Sequence, residues 1–389
     1  MGAQQRNVDP EKDFAPPNFT IKELRDCVPK HCFERDTLRS FSYVLYDLCG
    51  VAFFAFCASH ISMLPLSLRI PAWILYWVCQ GVVCTGIWVI AHECGHGAFS
   101  ANRTINNVTG WVLHSALLVP FYSWKYTHSQ HHKNTNNMTR DEVFVPRTKS
   151  YRGLQDKPST PSWITETIFE EAPAYHLFKV VLQSLFGWPS YLIRNASGPK
   201  YARGASHFNP NSVLFRPETF WNIVISDIGL LIAGSVLAYY SIMYSAATVI
   251  CYYGIPYLVV NFFLVTITYL QHTDATVPHY SDDSWNFVRG ALCTVDRDYG
   301  WILNVCLHHI NDTHVAHHVF SQMPHYHAQE ATEHLKKKLG KYYYYDDTNF
   351  LYALYHNYRH CQFVEDSGDV LFFRNTSVPI VSVTDTKND

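Results

Sequence analysis

The chain has 389 residues, and its 30 Lys and Arg nearly balance its 32 Asp and Glu, for a formal net charge of −2. That balance gives no electrostatic reason to expect a nucleic-acid partner, which favours a strongly basic surface. Hydrophobic residues make up 48% of the chain and charged residues only 16%, below the roughly 25% charged of ordinary soluble domains. The composition therefore favours an integral membrane protein.

The cysteines and the first residues argue against two further classes of protein. The eleven cysteines are scattered without a C-x-x-C pair, which speaks against a disulfide framework or a zinc ribbon and favours reduced, buried thiols. The first forty residues are polar and contain no apolar core of a cleavable secretion signal. We predict that residues 1–42 form a polar segment over one face of the membrane, with the first dozen disordered.

Four apolar stretches are each long enough to cross a bilayer, which takes about 20 residues. These stretches are residues 43–63, 70–90, 223–243 and 250–270. We predict that they pair as two hairpins, 43–90 and 223–270. Four runs of this length favour membrane spans over helices buried in a soluble core.

A few side chains in or beside these spans have expected positions. Asp47 and Asp227 lie near the starts of the first and third spans, where the helix dipole favours a carboxylate that can reach the interface. Trp221 is expected to anchor the third span at the membrane interface. Pro256 is expected to kink the fourth span.

Three histidine clusters lie beside the apolar stretches: HECGH from residue 92, HSQHH from residue 128 and HVAHH from residue 314. Spacings of three and four residues place side chains on one face of a helix, and neutral imidazole is the commonest side-chain metal ligand. The eight imidazoles are His92, His96, His128, His131, His132, His314, His317 and His318. Eight are too many for one mononuclear site, so we predict a binuclear metal centre at a membrane surface.

A shared site requires that an even number of crossings separate the three clusters. His92 and His272 each follow a predicted span by two residues, so they emerge at similar depth. Residues 108–121 are too short to cross comfortably and are expected to form an interfacial or re-entrant segment. Residues 180–193, interrupted by Gly187 and Pro189, are expected to form a helix on the membrane surface. Residues 330–341 have the pattern of an exposed helix.

The distribution of cations predicts the orientation. The two predicted hairpin turns, 64–69 and 244–249, together contain only one basic residue, Arg69, whereas the N-terminal segment is rich in basic residues. Its basic residues include Lys12, Lys22, Arg25, Lys30, Arg35 and Arg39. Because basic residues concentrate on the cytoplasmic side, both termini and the metal site are predicted to be cytosolic. Residues 91–222 and 271–389 would then form the cytosolic regions.

Longer motifs around the histidines identify a family resemblance. The motifs are HECGHGAFS from His92, HSQHHK from His128, LQHTD from Leu270, RGALCTVDRDYG from Arg289 and THVAHHVFSQMPHYHA from Thr313. The chain resembles the membrane-bound fatty acyl desaturases with three histidine boxes, and in particular their oleate Δ12 and ω3 branch of fungi and plants. The resemblance extends from about residue 19 to residue 366. It implies an all-α integral membrane protein with two transmembrane hairpins and a cytosolic helical cap that holds a di-metal site.

The same resemblance implies the ligands. The eight box histidines match the ligands of a non-haem di-iron centre, and His272 matches a further ligand near the end of the fourth span. His308 and Asp312 are candidates for supporting a ligand, since ligand histidines usually donate their other N–H to a carboxylate or carbonyl. Asp141, Glu142, Asp296 and Asp298 are weaker candidates. A solvated surface position is favoured for all these carboxylates, and Glu93 is expected to point away from the ligand face.

The implied reaction is acyl chain + O₂ + two electrons + two protons → cis-alkene + two waters, with O₂ as co-substrate and two iron ions as the cofactor. Zinc is disfavoured because it has no redox change to offer. Since the chain contains no Gly-rich nucleotide loop and no fused haem motif, cytochrome b5 and its NADH-dependent reductase are the implied electron donors. The substrate would be a fatty acyl chain on a phospholipid or on CoA, in the endoplasmic reticulum membrane.

Regiochemistry is left open between related activities. Glu93 in the first box leans towards Δ12 desaturation of an oleoyl chain. An ω3 or bifunctional desaturase, or a hydroxylase or acetylenase on the same scaffold, is the alternative. A metal-ion transporter would place its ligands near mid-membrane within broken helices, whereas these clusters lie beyond the predicted spans.

Overall fold

The computed structural model describes residues 14–154 and 172–375, and these residues are mostly helical. Among them, four helical segments are long and apolar enough to cross a membrane: Thr37–Met63, Leu66–His96, Pro217–Met243 and Ala246–His272. The prediction of four apolar helices of spanning length is therefore confirmed. The prediction for the first dozen residues lies outside the described residues.

The N-terminal segment packs onto the C-terminal part of the chain. Helix α1 (Ile21–Asp26) begins with a capping box, in which the side chains of Thr20 and Glu23 each bond the other residue's backbone N–H. A short 3-10 helix, Lys30–Phe33, follows. Their buried side chains are Leu24, Val28 and Cys32, which join a hydrophobic cluster with Val315, Val319 and Leu335.

The first hairpin consists of α2 (Thr37–Ser59) and α3 (Leu66–His96). Helix α2 begins at Thr37 rather than residue 43, because Asp36 caps it with its side chain. Asp47 therefore lies inside the helix, and its predicted place at a solvated helix start is wrong. Its carboxylate is buried, and Oδ2 accepts a 2.8 Å hydrogen bond from Nε2 of His308.

Helix α3 does not end where its apolar run ends. It continues without a break through His92 to His96 and stops at Gly97, whose left-handed φ of +75° terminates it. The first histidine pair therefore lies in the last turns of a spanning-length helix, rather than in a segment beyond it. A rigid element thus fixes the positions of both imidazoles.

Three helices follow α3 in the sequence. Helices α4 (Arg103–Ala116) and α5 (Phe121–Asn134) pack against α3, and both also contact the third spanning segment. Helix α6 (Pro173–Arg194) runs through Gly187 and Pro189 without a break, so the expected interruption there is wrong. Its apolar face packs on the fourth spanning segment, which compensates for the bond that proline cannot donate.

The second hairpin consists of α7 (Phe220–Met243) and a composite fourth segment. That segment contains α8 (Ala246–Val249), one π-helical turn (Ile250–Gly254) and α9 (Ile255–His272). The π turn ends two residues before Pro256, the residue at which a kink is expected. Helices α2 and α7 leave most of their apolar side chains exposed, whereas α3 and α9 are more buried. The two inner helices thus support the site.

The C-terminal region packs over the ends of α3 and α9. Its helices are α10 (Phe287–Ala291), α11 (Trp301–Cys306), α12 (His314–Val319), α13 (His325–Leu339) and α14 (Phe350–His360). Two small sheets accompany them and were not predicted: β1 (His279–Tyr280) pairs antiparallel with β4 (Val370–Leu371), and β2 (Val295–Arg297) pairs parallel with β3 (Tyr344–Asp346). Helix α13 starts earlier than predicted and buries one apolar face.

All eleven cysteines are free, as the sequence predicts. Their burial is less uniform than expected. Four are buried, five are half-buried, and Cys49 and Cys57 are exposed on the apolar outer helix α2.

Candidate metal centre

Five histidines from three helices converge to form cluster one: His92, His96, His128, His132 and His317. In α3, the Nε2 atoms of His92 and His96 are 3.2 Å apart, one helical turn from each other. Helix α5 brings Nε2 of His128 to 3.0 Å from that of His92, and His132 follows at 3.1 Å from His128. His317 of α12 completes the group, with its ring centroid 4.6 Å from that of His92. One ligand atom from each residue lies within 4.8 Å of all the others.

Four further histidines form cluster two: His131, His272, His314 and His318. One ligand atom from each of His131, His272 and His318 lies within 4.8 Å of the other two. Nε2 of His272, the last residue of α9, is 3.3 Å from Nε2 of His131 and 3.2 Å from Nε2 of His314. The structure therefore brings together all nine histidines singled out in the sequence.

The repeated H-x-x-H-H pattern explains why there are two clusters. Successive residues of a helix point about 100° apart, so neighbouring histidines face different sides. His131 belongs to cluster two and His132 to cluster one, and His318 and His317 divide in the same way. The rings of His132 and His318 stack with their centroids 4.0 Å apart. The clusters are therefore immediate neighbours, as a binuclear centre requires.

The donor geometry fits two transition-metal ions. Imidazole nitrogens bind such ions at about 2.0–2.1 Å, so two donors on one ion lie roughly 3 Å apart, as the Nε2 pairs here do. Nε2 of His317 and of His318 is buried without a hydrogen-bond partner in the described part of the chain. An all-imidazole donor set suits iron, zinc or copper. The residues therefore fit a pair of iron ions without singling out iron.

Burial favours the neutral form of four of these imidazoles, His128, His314, His317 and His318, and the neutral form is the one that binds metals. Desolvation lowers the pKa of His314 to about 3. It also places the pKa values of His128, His317 and His318 well below the usual range, with repulsion among the clustered imidazoles adding to the effect. These four imidazoles can therefore bind cations at neutral pH without first releasing protons.

Hydrogen bonds orient three imidazoles of cluster two. Nδ1–H of His131 donates to Oδ1 of Asp141 at 2.8 Å, and Nδ1–H of His314 donates to the carbonyl of Ile310 at 3.1 Å. Nδ1–H of His318 donates to Oγ1 of Thr135 at 3.1 Å. Each bond fixes the ring and leaves Nε2 with a free lone pair for a metal.

Two carboxylates differ from their expected surface positions. Asp141 is fully buried and also accepts backbone N–H bonds from Val143 and Phe144. Asp296 is fully buried as well, and it accepts a 2.8 Å bond from the backbone N–H of Val315. Because Val315 is the second residue of α12, Asp296 holds the start of the helix that carries the third box.

Glu93 also departs from its expected orientation. Its carboxylate is buried, with Oε1 3.4 Å from Nδ1 of His92 and 3.8 Å from Nδ1 of His317. Oε2 accepts a 3.1 Å bond from the backbone N–H of His325. The carboxylate therefore lies behind cluster one rather than away from it.

The two candidates for supporting residues lie outside both clusters. Asp312 contacts His309, with Oδ2 2.9 Å from Nδ1. His308 bonds Asp47, as described above, and its ring centroid is 5.1 Å from that of His325. Within the described part of the chain, neither residue forms a hydrogen bond with a histidine of the clusters. The shortest carboxylate support for a ligand comes instead from Asp141.

Asp141→Asn should lower activity and bound iron by about 10–100-fold, the usual cost of losing a supporting group behind a ligand. The amide cannot accept the bonds of His131, Val143 and Phe144 as the carboxylate does. Product per bound iron and total iron in the purified protein are the measurements. Asp312→Asn is the matched control and should stay within about twofold of the unsubstituted protein, because the Asp312 carboxylate pairs with His309, which belongs to neither cluster. Equal losses of activity and iron in both variants would contradict the role of Asp141 in supporting His131.

Two tryptophans form a wall of the site that sequence reasoning missed. Trp124 stacks on His128 with ring centroids 4.5 Å apart. Trp88 stacks on His92 at 5.6 Å. Each tryptophan precedes its histidine by four residues on the same helix, so one-turn spacing from a ligand was the available signal.

A cavity of about 920 Å³ adjoins the clusters. His128, His131 and His272 are among its inner lining, with apolar walls formed by side chains that include Trp188 and Leu264. Where it reaches solvent, its lining contains the cations Arg147, Arg152, Lys179, Arg194, Lys200 and Arg359. No carboxylate lines the cavity within the described ranges.

Comparison with known proteins identifies a family and several relatives of this chain. A family model described as "Fatty acid desaturase" matches residues 71–349, and one described as a domain of unknown function (DUF3474) matches residues 1–58. The chain is 53% identical to a Delta(12) fatty acid desaturase of Mortierella isabellina, over 94% of this chain and 92% of that protein. It is 44% identical to an omega-6 fatty acid desaturase, endoplasmic reticulum isozyme 2, of Glycine max, over 96% of both chains.

Another relative, named for a different activity, has a similar sequence identity to this chain. The chain is 44% identical to an oleate hydroxylase of Claviceps purpurea, over 93% of this chain and 82% of that protein. The family model covers most of the chain, including the first, second and third histidine boxes. On these matches, the resemblance seen in the sequence is confirmed, and the chain belongs to the fatty acid desaturase family.

Proposed function

We propose that this protein is a Δ12 desaturase that converts an oleoyl chain to a linoleoyl chain. The observation that supports it most directly is the pair of neighbouring imidazole clusters at the inner part of a largely apolar cavity. The names of the relatives from Mortierella isabellina and Glycine max point to the same activity. Overall, one O₂, two electrons and two protons would be consumed for each cis double bond formed, with release of two waters.

The nine histidines would hold two iron ions, five at cluster one and four at cluster two. Bound iron would supply the redox chemistry that no acid–base pair offers, namely reduction of O₂ and removal of two hydrogens from an unactivated acyl chain. The protein itself fixes the ligand rings through Asp141, Thr135 and the carbonyl of Ile310. These bonds favour the neutral tautomers that leave Nε2 free.

The cavity would bind the acyl chain and exclude water from it. Burial of each CH₂ group contributes about 0.8 kcal/mol, so apolar walls can hold an alkyl chain without any polar contact. Gly187 of α6 and Val265 of α9 both line this cavity, and a Cβ at Gly187 would lie 3.4 Å from Cγ2 of Val265. The distance of the reacting carbons from the carrier would be set by how far the chain can enter.

The cations at the cavity mouth suit a carrier that bears phosphate. Lys200 and Arg147 both approach the ring of Tyr151, at 4.0 Å and 5.5 Å from its centroid. Nη1 of Arg152 donates to Oε1 of Gln362 at 2.9 Å, which directs that guanidinium towards the same wall. Both a phospholipid and CoA contain phosphate groups, so this charge favours either acyl carrier over a free, uncharged lipid.

The membrane setting and the electron source complete the proposal. Both termini and the clusters would face the cytosol, in the endoplasmic reticulum membrane. The relatives named as endoplasmic reticulum isozymes support that membrane, and the basic N-terminal segment supports that side. Electrons would come from cytochrome b5 and its NADH-dependent reductase.

Expression in yeast tests the activity, because yeast supplies oleoyl lipids and the electron donors. We expect linoleate (18:2) to accumulate from endogenous 18:1, as measured by gas chromatography of fatty acid methyl esters. Formation of 18:3 only when 18:2 is supplied would replace Δ12 by ω3 activity. A hydroxylated 18:1 product would instead favour the hydroxylase alternative. The name of the Claviceps purpurea relative, an oleate hydroxylase, supports considering that alternative.

A further inference from the structure

A third group of metal-binding side chains lies apart from both histidine clusters. His31 and Cys32 belong to the 3-10 helix Lys30–Phe33, and His327 and Glu330 lie three residues apart on α13. One ligand atom from each of these four residues lies within 4.8 Å of all the others. They come from opposite ends of the sequence, so only the tertiary fold brings them together.

The spacing around His31 fits ligands that share one ion. Its Nε2 lies 2.9 Å from Oε2 of Glu330 and 3.7 Å from Sγ of Cys32. In a tetrahedral zinc site, with Zn–N of about 2.0–2.1 Å and Zn–S of about 2.3 Å, nitrogen and sulfur donors lie roughly 3.6 Å apart. The rings of His31 and His327 meet at 71° with centroids 5.6 Å apart, so both imidazoles border the same space.

The environment allows an ion to enter and to remain. Cys32 is fully buried in the hydrophobic cluster around α12 and α13. The side chains of His31 and Glu330 are 53% and 46% exposed, which leaves the group open to solvent on one side. A thiolate and a carboxylate would neutralise the two charges of a divalent cation, since both imidazoles are neutral ligands.

We propose that His31, Cys32, His327 and Glu330 bind one zinc ion. Sulfur, nitrogen and oxygen donors in fourfold coordination suit zinc. The histidine clusters, which have only nitrogen donors, suit iron or copper as well as zinc. On binding, the thiol proton of Cys32 is released to solvent and the sulfur bonds the metal. The ion joins the N-terminal segment to α13. This site does not depend on the proposed desaturase activity.

Metal analysis of the purified full-length protein tests the proposal. We expect about one zinc per chain in addition to iron, because a site of preformed ligands binds zinc tightly at neutral pH. Cys32→Ser and His327→Ala should each lower the affinity for zinc by more than about 100-fold, since loss of a supporting group alone costs about 10–100-fold. The iron content should not change. The matched controls are Cys27→Ser, at the end of α1, and His334→Ala, on α13, and both should keep their zinc.

A second measurement identifies the thiolate ligand. After the zinc is exchanged for Co²⁺, the unsubstituted protein and Cys27→Ser should show a thiolate-to-cobalt charge-transfer band in the near ultraviolet, and Cys32→Ser should not. Zinc at the same level in Cys32→Ser and His327→Ala as in the unsubstituted protein would overturn the proposal. So would a parallel loss of zinc and iron in both variants, because that result would assign the zinc to the histidine clusters.

Discussion

Replacement of His317 or His131 by alanine should reduce product formation at least about 100-fold, since loss of a supporting group alone costs 10–100-fold. His317 belongs to cluster one and His131 to cluster two, so each variant removes one donor from a different metal position. Bound iron should fall in both. Yeast expression with gas chromatography of the fatty acids, and iron analysis of the purified protein, are the measurements.

The control is His334→Ala, a half-buried histidine of α13 outside both clusters. It should keep its iron and its activity. Membrane abundance should be the same in all three variants, because the ligands lie at the ends of helices that other contacts hold. Retained activity in either ligand variant would exclude that histidine from the metal centre.

A bulky side chain at Gly187 should block the cavity while leaving the metals in place. Gly187→Phe adds a ring on the face of α6 that lines the cavity. The new Cβ would lie 3.4 Å from Cγ2 of Val265, in van der Waals contact. We expect at least about a tenfold loss of product, because displacement of a substrate by 1 Å can cost about 100-fold in rate. Iron content should not change, which separates this defect from loss of a ligand.

Phe186→Trp is the matched control for that variant. Phe186 precedes Gly187 on the same helix but is 53% exposed, so added bulk there points away from the cavity. Its product level should stay close to that of the unsubstituted protein. If Gly187→Phe were fully active, the acyl chain would have to bind elsewhere.

The sequence alone predicted which histidines come together, because their pattern is local. Box histidines at spacings of three and four needed only a helix to share a face, and α3, α5 and α12 are helical. His272 needed the family resemblance as well, which implies a further ligand near the end of the fourth span. Its position after the fourth apolar run supported that choice, since a span of about 20 residues ends at a definite depth.

Other predictions failed because they depended on neighbours distant in sequence. Asp47 was placed by its position near the start of an apolar run, but the capping residue Asp36 moved that start. Glu93 was assigned by helical phase alone, whereas α12 and α13 cover it from the other side with His317 and the backbone of His325. Asp312 was favoured for its proximity to the third box, and its side chain bonds His309 instead.

By itself, therefore, the sequence determined the four apolar helices through composition and length, and the eight box histidines through helical spacing. The motifs around those histidines determined the family, and the family resemblance added His272. The tertiary structure alone decided how those histidines divide into two neighbouring clusters and that Asp141 supports His131. It also decided that a largely apolar cavity with a basic mouth adjoins them. These features arise where α3, α5, α9 and α12 meet, and the side-chain directions at such a junction depend on packing between segments far apart in the chain.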